Sequence, residues 1–121
     1  MTNLEKFKRY LATQQQIQQD KANELSQNHR QDEAIMAKIT GNIYKILIDI
    51  SGTMEKRSSN NIFANITCFM QNQLRTPWQQ SLATATHHGD NVKIAHENIK
   101  LSTLAEIEKV FSSIFEGCEN A

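Results

Sequence analysis

The sequence predicts an all-α fold: a single helical domain over residues 1–121, a bundle of four or five helices with a long N-terminal helical hairpin. Three observations carry this. One proline and four glycines in 121 residues leave long stretches without a breaker. The stretch 32–54, DEAIMAKITGNIYKILIDISGTM, sorts its side chains at the helical period of roughly 100° per residue. Sharp helix start and stop signals, TPWQ at 76–79 and HHGD at 87–90, punctuate the second half.

The first helix is expected over residues 3–27. Leu4, Phe7, Leu11, Ala22 and Leu25 share one face, and Gln14, Gln15 and Gln18 occupy its middle. Glutamine is a good helix former, so propensity supports a helix that the apolar pattern supports less. Every residue from Ser26 to Asp32 is polar. Either the chain turns here or one helix runs straight through; the turn near Asn28–His29 is the favoured reading, with Asn28 as the left-handed cap and Asp32 and Glu33 opening the next helix.

Residues 32–54 form the expected central helix. Ile35, Met36, Ile39, Ile43, Ile46, Leu47, Ile50 and Met54 fill a broad apolar arc. Ala37, Gly41, Tyr44 and Ile48 make a second stripe, and Lys38, Asn42, Lys45 and Asp49 form the narrow polar one. A helix with so little polar surface is expected to be packed from most directions, with Ile46 deep in the core. The competing α+β reading takes Ile43–Ile50, Val92–Ile94 and Ile99–Leu101 as strands. It separates apolar from polar side chains less well, because Lys45 and Asp49 would share a face with Ile43 and Leu47.

EKRSSNN at 55–61 reads as a loop whose Asn60 or Asn61 can cap the next helix. There Phe63, Ile66, Met70 and Leu74 recur at helical spacing. Thr76 to Gln79 then reads as a fresh start: Thr as N-cap, Pro77 at the first helical position, Gln79 completing a capping box. This helix is expected to bury Trp78, Leu82 and Ala85 and to stop at Gly89. Asp90 caps the last helix, whose apolar arc is Val92, Ile99, Thr103, Ile107, Val110, Phe111 and Ile114, with a possible interruption at Ser102. Lys6, Lys8 and Arg9 at the start of the first helix oppose its dipole, as do Glu116 and Glu119 at the end of the last; neighbouring chain ends would let these charges offset each other.

Thirteen basic and thirteen acidic side chains balance, so no net field favours nucleic acid or an anionic membrane. No apolar run approaches the ~20 residues of a membrane span. The opening MTNLEKFKRYL has no apolar core of a signal peptide, and the two cysteines, Cys68 and Cys118, sit in no metal or redox spacing. A reduced, cytoplasmic protein is expected, with Cys68 a small buried hydrophobe and Cys118 exposed.

His87, His88 and His96, with Asp90 and Glu97 nearby, are the only cluster that invites a metal or small ligand. The pattern lacks the helical pair that zinc sites use, and two histidines at a helix C-terminus suit its dipole without any metal. His96 is expected on the inward face of the last helix, and His29 and Glu33 as a surface pair. No spacing assembles a nucleophile, a base and oxyanion donors, and ISGT at 50–53 lacks the lysine and second glycine of a phosphate loop. Catalytic, cofactor-binding and metal residues are therefore assigned to none, and no cofactor is expected.

MTNLEKFKRYL, NIYKI following DEA, TPWQQSL and KLSTLAEIEKVF together resemble a group of small uncharacterised bacterial helical proteins. The resemblance implies an all-α fold and a bacterial cytosolic origin, and it brings no activity with it. The leading functional expectation is a non-enzymatic protein-interaction or oligomerisation module, a homodimer joined through the hairpin at residues 10–36. Leu25, Ile35 and the glutamine amides would supply that contact. The alternative is a ligand- or metal-binding helical protein using the histidines at 87–97.

Overall fold

The computed structural model describes residues 1–57 and 61–116. Helix α1 spans Asn3–Gln27, α2 Gln31–Lys56, α3 Ile62–Phe69, α4 Thr76–His88 and α5 Asn91–Glu116, and a π-helical stretch, Met70–Arg75, joins α3 to α4. No strand occurs among the described residues, so the all-α prediction holds. The β-branched segments at 43–50, 92–94 and 99–101 all lie within helices. Cys118, Glu119 and Asn60 lie outside the described residues. The chain divides into two compact units, Met1–Gly52 and Thr53–Ala121.

In the first unit α1 and α2 pack against each other as a hairpin. A reciprocal capping box starts α1: Glu5 N–H donates to Thr2 Oγ1, and Thr2 N–H donates to Glu5 Oε2, both at 3.1 Å. Leu4, Phe7, Leu11, Ala22 and Leu25 are buried, the face read from the sequence. The helix closes in a Schellman turn, with Arg30 N–H donating to the Leu25 carbonyl at 2.9 Å and His29 N–H to that of Ser26 at 3.1 Å. The residue in the left-handed region is His29, at φ 62°, and not Asn28, at φ −91°. The expected His29–Glu33 pair does not form either: Glu33 is held by Arg30, whose Nε donates to its carboxylate at 3.1 Å.

The distal half of the hairpin has few large apolar side chains, yet it is held down. Ala22 and Leu25 of α1 cluster with Ala34 and Ala37 of α2. Small side chains let two helices approach closely, and a Cβ added at Gly41 would already stand 3.4 Å from Gln18 Cβ. Gln14, Gln15 and Gln18 are half-buried along this seam. Further down, Phe7 stacks on Tyr10 at 6.4 Å and Tyr10 meets the edge of Tyr44 at 6.2 Å. The Ala37/Gly41 stripe is therefore used within the chain, and Leu25, 8% exposed, is core rather than interface.

The broad apolar arc of α2 splits in two. Ile43, Leu47 and Ser51 are fully buried, whereas Ile35 is 43% exposed and Ile46 36% exposed. The expectation that this helix is packed on nearly all sides, with Ile46 in the core, is corrected. Hydrophobic period alone does not tell which half of an isoleucine-rich arc finds a neighbour.

In the second unit Ile66, Met70 and Leu74 are buried along α3 and the π stretch. Phe63 stacks on Phe111 at 5.1 Å, and Phe115 completes the group at 4.5 Å from Phe111. Asn61 stands at the N-cap of α3, its carbonyl accepting from Asn65 N–H at 2.9 Å, without a side-chain cap bond. Thr76 is not an N-cap. Its φ −60° and ψ −49° are helical, and both its N–H and its hydroxyl, the latter at 3.0 Å, donate to the Gln71 carbonyl five residues back. The chain passes from α3 into α4 without stopping. Pro77 has no N–H to give a preceding carbonyl, and its ring crowds the turn before it. The widened π turn precedes the proline and leaves it in the first turn of renewed α-bonding, where no N–H is needed.

The stop after α4 falls where the sequence places it. Gly89 has φ 67°, and Asp90 N–H donates to the Ala85 carbonyl at 3.0 Å, a second Schellman turn. Asp90 Oδ1 accepts from Lys93 N–H at 3.1 Å and caps α5. Helix α5 is continuous through Ser102 and buries Glu97, Thr103, Leu104, Ile107 and Phe111. Val92, assigned to its inward arc, sits in the first turn and is 67% exposed.

Candidate interaction surface

The residues singled out for chemistry do not converge. His87 and His88 are exposed side by side at the end of α4, with ring centroids 5.3 Å apart, and His96 is half-buried on α5. Among the described residues no group of three or more His, Cys, Asp or Glu side chains comes within reach of one metal ion. Cys68, expected to be buried, is an exposed free thiol whose sulfur accepts from Asn72 Nδ2 at 3.1 Å. It lies on the outer side of α3, away from the row of Ile66, Met70 and Leu74.

Among the described residues of the second unit Glu97 is the buried ionisable group, at 4% exposure. Its Oε1 is 3.1 Å from the Lys100 ammonium, which also stands 5.7 Å from the centre of the half-buried Trp78 ring. Lys100 is thus shared between a carboxylate and an aromatic face, a structural brace between α4 and α5. Arg75, at the end of the π stretch, pairs with Glu108 of α5 in the same sense, both about a quarter exposed. These charges hold helices together.

Two clefts stand out among the described residues. One of about 390 Å³ lies beside α3, with Met54 and Phe69 as apolar lining and Arg57, Asn65 and Asn72 at its rim. The other, about 370 Å³, lies along the α1–α2 seam, where Ala22, Ala37 and Gly41 leave room and Gln15, Gln19 and Asn42 line it. Small seam residues account for the second cleft.

No family model, curated protein or solved structure matches this chain. None of its described helices is long and apolar enough to cross a membrane.

The surface of α2 is more informative than either cleft. At roughly 100° per residue its circumference divides into four strips. Ala34, Ala37, Gly41 and Tyr44 face α1. Lys38, Asn42, Lys45 and Asp49 form an exposed polar strip. Ile35, Ile39, Ile46 and Ile50 follow, two exposed and two half-buried. Ile43, Leu47 and Ser51, buried, close the circle. The isoleucine strip lies on the opposite side of α2 from the α1 seam and spans about 22 Å. Single exposed isoleucines are ordinary, but two pairs of them in line along one side of a helix, at i, i+4, i+11 and i+15, make an apolar ridge. The sequence contains the signal, since all four fall on one arc; it does not say that this half of the arc faces outward.

Proposed function

We propose that this chain is a non-enzymatic interaction module that self-associates as a homodimer through the isoleucine ridge of α2. The observation that carries the reading is the exposure of Ile35 and Ile46, 43% and 36%, in line with half-buried Ile39 and Ile50. Covering such a strip removes apolar surface from water at about 25 cal/mol per Å². The expected interface at residues 10–36 gives way to this one, because Leu25 is already covered within the hairpin. The histidines at 87–97 have no convergent geometry to support the alternative reading. Two cysteines in no metal or redox spacing support a reducing, cytoplasmic setting, and the resemblance of the helical blocks supports a bacterial one.

The strip is shorter than a standard interface, so the dimer is expected in the micromolar range. Light scattering after size exclusion, run as a dilution series, tests it. The mass should rise with concentration from 13.8 kDa toward twice that value. A constant monomeric mass up to millimolar chain would refute self-association.

A further inference from the structure

Resting on that reading, we infer that the second copy docks antiparallel, α2 against α2, in a register set by the polar strip beside the ridge. The strip reads Lys38, Asn42, Lys45, Asp49, all exposed, at i, i+4, i+7 and i+11. Reversed, the same spacing reads Asp49, Lys45, Asn42, Lys38. A two-fold axis near residue 43 therefore lays Lys38 of each copy opposite Asp49 of the other, and Asn42 opposite Lys45. That gives two ion pairs and two amide–ammonium contacts from a single self-complementary row.

Ile35 against Ile50 and Ile39 against Ile46 of the second copy centre one residue earlier than the polar pairs, about 1.5 Å along the helix, so a single axis near residue 43 serves both rows. In an antiparallel helix pair like flanks face each other, which places the polar strips together on one side of the apolar seam. A parallel pair would instead put the two polar strips on opposite sides of the apolar seam, where neither Lys38 meets an Asp49. An isologous contact of this kind closes as a dimer and does not propagate. The occupant that the strip fits is a second copy of this chain, because in the reversed register Lys38 of each copy meets Asp49 of the other.

A charge-swap cycle at low ionic strength tests the register by sedimentation equilibrium on the full chain. Lys38→Asp alone and Asp49→Lys alone each turn two attractions into repulsions and should weaken the dimer about tenfold. Lys38→Asp with Asp49→Lys together restores opposite charges and should return affinity to within about twofold of the parent. Circular dichroism confirms that the exposed substitutions leave the fold intact. A dimer indifferent to both single swaps, or a double swap no tighter than the singles, overturns the antiparallel register while leaving self-association standing. A parent chain that stays monomeric overturns both.

Discussion

Neighbouring residues of α2 should respond to truncation very differently. Leu47 is 0% exposed and Ile46 is 36% exposed, although both belong to the same apolar arc of the sequence. Leu47→Ala empties enclosed volume, so it loses both the transfer term and a cavity term, about 3 kcal/mol in all. Ile46→Ala removes atoms already partly in water. About 50 Å² of lost apolar burial at 25 cal/mol per Å² gives roughly 1 kcal/mol, with no enclosed cavity to add. For a chain of this size 1 kcal/mol corresponds to about 4 °C, so the expected falls in Tm are about 12 °C and about 4 °C. Urea unfolding followed by circular dichroism, at chain concentrations low enough to keep the protein monomeric, separates folding from association. Equal losses for the two variants would refute the division of α2 into a buried and an outward half.

The two Schellman turns make a matched pair. His29→Gly should stabilise by up to about 1 kcal/mol by relieving a side chain held at φ 62°, and Gly89→Ala should destabilise by a similar amount at φ 67°, both read from thermal melts. Caps separate in the same way. Asp90→Ala should cost about 1 kcal/mol by freeing the Lys93 N–H, whereas Thr76→Ala should cost under about 0.5 kcal/mol, since its hydroxyl caps nothing and Gln71 keeps the backbone bond. Equal losses at Asp90 and Thr76 would return Thr76 to the role of an N-cap.

Much of the fold is legible in the residues, for identifiable reasons. The Leu4, Phe7, Leu11, Ala22 and Leu25 face of α1 is visible because its flanks are polar, so only one side can be buried. Gly89 and Asp90 are visible because a left-handed stop and a capping carboxylate are local chemistry that tertiary packing does not override. Where the local signal and its surroundings compete, the reading fails. Thr76 to Gln79 carries every mark of a helix start, yet the preceding turns are equally good helix, and a π turn accommodates Pro77 at less disruption than breaking the rod. Isoleucine on either side of α2 looks alike in sequence, so the outward ridge becomes visible only once the buried half is known. Cys68 reads as buried by its neighbours Ile66, Phe69 and Met70, but it points off their face. The histidines at 87–97 do not gather at one point: His87 and His88 stand side by side at the end of α4, Gly89 turns the chain, and His96 is half-buried on α5.

Isoleucine methyl NMR on the unmodified chain tests the ridge most directly, because it places any contact without a mutation. Across a dilution series from millimolar to low micromolar, the methyl signals of Ile35, Ile39, Ile46 and Ile50 should shift together along one binding curve. Those of Ile43, Ile66 and Ile107, buried within the chain, should stay fixed. A concentration-dependent shift at Ile17 or in α5 with the ridge silent, or no shift at any isoleucine, would contradict the assignment of α2 as the surface through which this chain meets a second copy.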